Sequence, residues 1–230
     1  MDRRNFLTQT IVAGSAAAFG SAVPAETGSF EKTRIIGISC SPRRGKTTAA
    51  AVQTALDAAK EVDSRIEVQL IDLGGFNISG WVGGAKPDSP QIVGDDFEVE
   101  VEPYLMAPNL GGLIIGSPVY FRSMSALCKS FLERLYVMRT PTMRLADKPV
   151  GALAVGSFRN GGQELVIEQI TTAMCCYEPF IVGGKPSAHQ GATLWNNYND
   201  DITKDEFGLN TAKLLGVRVA EAALRTQKIN

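Results

Sequence analysis

Residues 34–48 read RIIGISCSPRRGKTT, and this stretch decides the fold. The isoleucine-rich run 34–39 is typical of a strand that is buried on both faces of a parallel sheet. A loop of hydroxyl, cationic and glycine residues follows, and an Ala-rich pattern with helical spacing then covers 47–62. A buried strand, a polar loop and a helix in this order predict the first unit of a doubly wound α/β domain.

The same alternation of short apolar runs and longer amphipathic segments continues along the chain. It predicts a three-layer, doubly wound α/β fold with a parallel sheet of about five strands. The predicted strands after the first cover 66–73, 111–117, 150–156 and 180–182. The predicted helices after the first cover 95–105, 124–135, 163–174 and 207–225, the earliest of them capped by Asp95 and Asp96. Between the second strand and that helix, the glycine-rich segment from Gly74 to Gly94 is predicted to be a long loop, either functional or an ornamental insertion.

Composition limits the classes of partner. The 230 residues suit one domain with a sizeable core, and the formal net charge of −1 gives no reason to expect nucleic acid as a partner. The four cysteines, Cys40, Cys128, Cys175 and Cys176, include no CxxC spacing. We therefore expect no metal site built on that pattern and four thiols with mainly packing roles.

The start of the chain has the order of a twin-arginine export signal. Arg3 and Arg4 precede a weakly apolar run over 11–23 and the small-residue site Val23-Pro24-Ala25. This pattern predicts a signal peptide over 1–25, a linker over 26–33, a domain over 34–226 and a periplasmic location. The alternative is an ordinary N-terminal helix with a fortuitous basic pair; a transmembrane anchor is disfavoured because the apolar run is shorter than the ~20 residues that span a bilayer.

Three loops that follow predicted strands carry the chemistry. In an open parallel sheet, ligands bind beyond the carboxyl ends of the strands. The loop 39–48 offers backbone N–H groups, hydroxyls, cations and a helix N-terminus, which together favour a phosphate. The loop 117–125 places two aromatic residues after a buried strand, where they either flank a flat ring or merely cap the core. The loop 156–164 adds a glycine pair and another aromatic residue.

An alternative for the first loop is a nucleotide-triphosphatase loop, because Gly45-Lys46-Thr47 ends like one. That pattern needs glycine at position 40, where this chain has Cys40, and the strand 113–117 does not end in an acidic residue that would hold magnesium. A hydrolase is therefore the less favoured hypothesis.

These motifs resemble the flavodoxin-fold NAD(P)H-dependent FMN reductases, in particular the iron–sulfur flavoproteins and the tryptophan-repressor-binding-protein-like quinone reductases. The residues that carry the resemblance are Ser41-Pro42-Arg43 with Gly45 and Thr47, Ser117 to Phe121 with Ser123 to Ser125, and Gly161 to Glu164. The resemblance implies a flavodoxin-like fold and bound FMN. By position it implies phosphate contacts from Ser39, Ser41, Arg43, Lys46, Thr47 and Thr48, and a ring site lined by Pro118, Val119, Tyr120, Phe121, Ser157, Phe158, Asn160 and Gly161. The resemblance also implies that His189 and Arg122 lie on the substrate side of the site. The alternative for His189 is a solvated histidine in a loop.

The chain departs from that family at three places. No cysteine lies between Gly74 and Asp95, where iron–sulfur members carry their cluster ligands, so we expect no iron–sulfur cluster. Arg122 stands where members commonly have glycine, and Lys46 stands where they commonly have asparagine.

The resemblance implies an oxidoreductase that passes electrons through FMN to a quinone or similar acceptor in a ping-pong cycle, with no catalytic side chain required. NAD(P)H is a possible donor, but an exported protein would need another reductant, such as a membrane quinol or a redox partner protein. The alternative from another class is a non-enzymatic, exported electron carrier. The resemblance also implies a homo-oligomer.

Overall fold

The computed structural model describes residues 32–83, 95–139 and 141–227. The predicted signal peptide, residues 26–31 of the predicted linker and residues 84–94 of the predicted long loop lie outside the described residues. The elements in chain order are β1 (Thr33–Ser39), α1 (Thr47–Lys60), β2 (Ile66–Asp72), α2 (Phe97–Glu100), α3 (Glu102–Leu105), β3 (Leu110–Pro118), α4 (Ala126–Arg134), β4 (Pro149–Gly156), α5 (Gln163–Met174), β5 (Phe180–Ile181), β6 (Ala192–Trp195) and α6 (Glu206–Thr226). Short 3₁₀ turns extend α4 over Leu135–Met138 and α5 over Cys175–Tyr177.

The sheet is parallel and has the order β2-β1-β3-β4-β5. This confirms the predicted doubly wound α/β architecture with five strand positions. The fifth position is shared by two short strands: β5 pairs with Pro149 and Val150 at the start of β4, and β6 pairs with 153–156 at its end. The sequence did not predict β6, because its four residues form no recognisable period.

The central strands have apolar side chains on both faces, as the parallel arrangement requires. On β1, Ile36 and Ile38 belong to the core beneath α4 and α5, whereas Ile35 belongs to the core beneath α1 and α6. All nine residues of β3 are buried. The helices α1 and α6 approach closely, since a Cβ added at Gly216 would lie 1.8 Å from the carbonyl oxygen of Ala55.

Two expectations are corrected. The helix predicted over 95–105 is two four-residue helices, because Pro103 has no N–H to continue the first one and Val101 between them leaves the helical region at φ −125°. Among the four thiols, Cys40 and Cys128 are buried and pack as expected, but Cys175 and Cys176 are exposed at the end of α5. In the described part of the chain, every helix is too short or too polar to cross a membrane.

Candidate functional site

The first loop joins the carboxyl end of β1 to the N-terminus of α1. Ser39 is fully buried at that strand end, and its Oγ has no hydrogen-bond partner among the described residues. The first turn of α1 has no side-chain cap and no acidic residue. Its free N–H groups and the positive end of the helix dipole therefore remain available to an anion. A buried hydroxyl without a partner beside such a turn fits a phosphate group.

The shape of this loop is fixed by Asp72 at the end of β2. The Asp72 carboxylate accepts hydrogen bonds from the N–H of Gly45 at 2.6 Å and of Gly74 at 3.3 Å. The Arg44 guanidinium donates to the Gly74 carbonyl oxygen at 2.6 Å and lies over the Phe76 ring at 4.8 Å. The nucleotide-hydrolase alternative needs the loop N–H groups for the nucleotide phosphates, so the engagement of Gly45 by Asp72 argues against it.

The other predicted phosphate residues lie around this turn. Ser41, Thr47 and Thr48 are buried, and the Ser41 Oγ accepts a hydrogen bond from the Arg43 N–H at 3.2 Å. Arg43 and Lys46 are half-exposed, and both face Asp200, from which their nitrogens lie 2.6 Å and 3.9 Å away. The hydrogen bond that the Arg43 guanidinium donates to the Asp200 carboxylate raises the pKa of Arg43 above its usual value.

The second loop leaves β3 and forms a tight turn. Val119 donates its N–H to the Val155 carbonyl oxygen at 2.9 Å, which keeps the loop beside β4. Tyr120 and Ser123 exchange both backbone hydrogen bonds, at 2.9 and 3.0 Å, around Phe121 and Arg122. These two turn residues have positive φ values, 51° and 64°, a conformation that favours glycine or asparagine. The Phe121 ring is fully exposed at the tip of this turn.

The third loop is held by one buried amide. The Gln163 side chain donates to the carbonyl oxygens of Phe158, at 2.7 Å, and Leu194, at 3.0 Å, and accepts from the Gly161 N–H at 2.9 Å. These bonds leave the Phe158 ring half-exposed above the sheet edge. The second and third loops also meet, since a Cβ at Gly162 would lie 3.3 Å from the Arg122 Cα.

A fourth segment at this edge, residues 195–201 at and after the end of β6, was not predicted from the sequence. The indole N–H of Trp195 is buried and has no partner in the described structure. The Tyr198 ring lies 6.2 Å from the Phe158 ring, with a 30° angle between their planes. Asp200 completes the segment with its contacts to the first loop. A short apolar run at 192–195 is the only sequence signal for this segment.

The predicted residues fall into two groups. The three loops bring together at one edge all the predicted phosphate and ring residues and Arg122. His189 is exposed in the segment between β5 and β6, where its carbonyl oxygen packs against Gly183, and Gly191 two residues later lies against β4, since a Cβ there would be 2.4 Å from the Ala152 carbonyl oxygen. Ala152 is four residues before the end of β4, about 13 Å along the strand, so His189 does not join the three loops. No group of three or more His, Cys, Asp or Glu residues in the described structure is placed to hold a metal ion.

The strand order and the loops at the carboxyl edge define a flavodoxin-like α/β protein. A flavodoxin, WrbA-like protein from Agrobacterium tumefaciens shares this fold, with a TM-score of 0.55, 15% sequence identity and coverage of 85% of this chain and 99% of that one. Residues 33–193 match the model of the NADPH-dependent FMN reductase family, and the chain belongs to that family.

Relatives of known description support the same assignment. The chain is 35% identical to an iron-sulfur flavoprotein of Methanocaldococcus jannaschii, over 85% of this chain and 100% of that protein. It is 30% identical to an iron-sulfur flavoprotein of Methanosarcina thermophila, over 79% of this chain and 93% of that protein. This chain has no cysteine between Gly74 and Asp95, and the expected lack of an iron–sulfur cluster stays a prediction.

Proposed function

We propose that the protein is an FMN-dependent oxidoreductase that passes electrons from NAD(P)H or another reductant to a quinone or similar acceptor. The observation that carries the proposal is the pairing of the unpartnered Ser39 hydroxyl with the uncapped N-terminus of α1 at one strand end. This pair suits a phosphate, and the aromatic loops beside it suit a flat ring. Membership of the FMN reductase family favours the same cofactor.

Each part of the edge has a role in this proposal. Ser39, Ser41, Thr47 and Thr48 supply hydroxyls to the phosphate, while Arg43 and Lys46 supply positive charge. Tyr120 and Phe158 border the ring site and exclude water from it. Gln163 fixes the shape of the third loop through its hydrogen bonds to Phe158 and Gly161. FMN, when bound, supplies the redox chemistry, and no side-chain acid or nucleophile is required.

The phosphate role of Ser39 is tested by the variant Ser39→Ala. Loss of a hydrogen bond to a charged group predicts FMN affinity about tenfold weaker. Ser64→Ala is the matched control, because Ser64 is exposed in the turn before β2, at the opposite edge of the sheet. Equal FMN affinity in wild type and Ser39→Ala would remove Ser39 from the site.

The reaction itself is tested by steady-state kinetics with NADH or NADPH and a quinone, each varied at several concentrations of the other. Parallel reciprocal plots are the expected result, since donor and acceptor use the same flavin in turn. Intersecting plots would contradict this cycle. Failure of NADH and NADPH to reduce the protein, combined with rapid reduction by a quinol, would assign the donor to the quinol.

A second candidate, an exported electron carrier without turnover, is favoured by one feature, the Arg3-Arg4 pair. The periplasm is not expected to supply NAD(P)H, and non-covalent FMN must be acquired in the cytoplasm before a folded protein is exported. Pulse labelling is expected to show the mature form outside the cytoplasm, and Arg3→Lys with Arg4→Lys should abolish that form. Retention of the wild type in the cytoplasm would remove both the export proposal and this candidate.

The proposal includes self-association, which the resemblance to the FMN reductases implies. Sedimentation of the purified protein should therefore give a dimer or tetramer. A monomer that binds FMN with full affinity would contradict this part of the proposal and leave the cofactor unchanged.

A further inference from the structure

Asp200 lies over the phosphate loop although it is remote from that loop in sequence. Its carboxylate accepts from the Arg43 guanidinium through both oxygens, at 2.6 and 2.8 Å, and lies 3.9 Å from the Lys46 Nζ. These are the two cations that the proposed function assigns to the phosphate. In the described structure a protein carboxylate therefore occupies the position of a competing anion.

The segment that carries Asp200 is tethered at its base and strained at Tyr198. The N–H of Asn196 donates to the Gly156 carbonyl oxygen at 3.0 Å, and the Asn196 side-chain oxygen accepts from the Tyr198 N–H at 3.1 Å. Asn197, Tyr198 and Asp200 all have positive φ values, between 48° and 60°. Asn and Asp adopt this conformation readily, whereas at Tyr198 it persists only where the surrounding structure imposes it. The Asp200 carboxylate is thus held over Arg43 by a built turn.

We propose that Asp200 is an internal competitor for the phosphate site and sets the affinity for a phosphorylated flavin relative to the unphosphorylated one. A phosphate dianion gains the full electrostatic attraction of Arg43 and Lys46 only when Asp200 releases these two side chains. If Asp200 stays in place, its negative charge repels the dianion across a few ångströms. Either way the carboxylate lowers phosphate affinity and leaves the uncharged part of the ligand unaffected. This inference rests on the proposed function, because it takes FMN as the ligand.

The test compares the flavin-free, full-length wild type with Asp200→Asn and Asp201→Asn. Asp201 is the matched control, because its carboxylate accepts hydrogen bonds from the N–H and the hydroxyl of Thr203, at 2.8 and 2.9 Å, and not from the first loop in the described structure. Each protein is titrated with FMN and with riboflavin, and flavin fluorescence is measured. Asp200→Asn should bind FMN about tenfold more tightly than wild type, as removal of one unit charge beside a partly exposed dianion predicts. Its riboflavin affinity should stay within about twofold of wild type, and Asp201→Asn should change neither affinity.

The variant Arg43→Gln tests whether Asp200 changes FMN affinity through its contact with Arg43. In the Arg43→Gln protein, which no longer has the contested guanidinium, Asp200→Asn should gain much less FMN affinity. Equal FMN affinity in wild type and Asp200→Asn would overturn the inference. Weaker FMN binding by Asp200→Asn would also overturn it, because Asp200 would then position Arg43 for the phosphate. An equal gain for FMN and riboflavin would overturn it as well, since the effect would not involve phosphate.

A titration with inorganic phosphate distinguishes failure of this inference from failure of the proposed function. If none of the proteins binds either flavin, the FMN proposal fails, and the thermal stability of each protein is measured against phosphate concentration. A larger phosphate-dependent rise in melting temperature for Asp200→Asn than for wild type and Asp201→Asn would keep Asp200 as the competitor at an anion site. Identical phosphate responses would overturn both.

Discussion

The Ser125 hydroxyl donates a hydrogen bond of 2.6 Å to the carbonyl oxygen of Cys40 and so joins the second loop to the first. The same Oγ accepts from the Cys128 N–H at 3.0 Å and caps α4, while the Ser125 N–H donates to the Ser117 Oγ at 3.1 Å. Ser125 is buried, so these bonds are not exchanged with water. One hydroxyl therefore sets the distance between the first loop and the second loop.

Replacing this hydroxyl should be costly. Ser125→Ala removes a helix cap and leaves the Cys40 carbonyl oxygen without that donor, so the free energy of unfolding should fall by about 2 kcal/mol. Urea denaturation measures the loss. Ser130→Ala, on the same helix but outside this network, is the control and should change stability by less than about 0.5 kcal/mol. A Ser125→Ala protein as stable as wild type would show that the bridge contributes nothing.

The ion pair between Arg134 and Asp95 anchors the start of α2 to α4. Their side chains are 6% and 2% exposed, the closest oxygen and nitrogen are 2.5 Å apart, and the Asp95 carboxylate also accepts from the N–H groups of Ser79 and Phe97. Arg134→Met leaves that buried carboxylate without its cation and should cost about 3–5 kcal/mol of unfolding free energy. Lys129→Met, which breaks a surface pair with Glu133, should cost at most about 1 kcal/mol. Equal losses in the two variants would contradict the difference in burial.

The thiols should react in two classes. Burial, the neighbouring Cys128 and the charge of Asp72 raise the pKa of the Cys40 thiol well above its usual value, and both buried thiols are closed to solvent. Native protein treated with iodoacetamide should therefore be modified at Cys175 and Cys176 only, as mass spectrometry of its peptides would show. Urea-denatured protein, the control, should react at all four. Rapid native alkylation of Cys40 would contradict its burial.

Alkaline pH should destabilise the fold through Tyr177. Burial raises the pKa of its phenol to about 12, and its hydroxyl donates to the Leu132 carbonyl oxygen at 2.7 Å. The folded state therefore holds this proton more tightly than the unfolded state, so the stabilisation is complete below about pH 10 and is lost between about pH 10 and 12. The expected loss at pH 11 is about 1 kcal/mol.

The variant Tyr177→Phe tests this source of pH dependence. It should be less stable than wild type at pH 8, because the hydrogen bond is gone, but its stability should fall less between pH 8 and 11. Tyr104→Phe, which removes the hydroxyl of an exposed ring, should keep the wild-type pH dependence. If Tyr177→Phe also keeps the wild-type slope, another group causes the alkaline loss.

The strands that the sequence predicted best are those whose burial dictates their composition. β1, β3 and β4 lie in the middle of the sheet, and both faces require apolar residues, so each forms an uninterrupted apolar run. The first loop, residues 39–48, was predictable for a related reason, because it directly joins such a strand to a helix. The three loops then share an edge as a consequence of parallel topology.

The features that were missed depend on contacts between distant residues. β6 has only four residues, and its pairing with Gly156 arises from tertiary structure rather than from a local pattern. The contact of Asp200 with Arg43 joins residues 157 positions apart, so no spacing in the sequence could reveal it. The aromatic contact between Tyr198 and Phe158 follows from the same unrecognised strand.

The measurement that most directly tests the central claim is the visible absorbance spectrum of the purified protein, with chromatography of any cofactor that acid releases. The account predicts flavin bands, release of FMN, and stoichiometric rebinding of FMN to the flavin-free protein. A colourless protein that also fails to bind added FMN would contradict it.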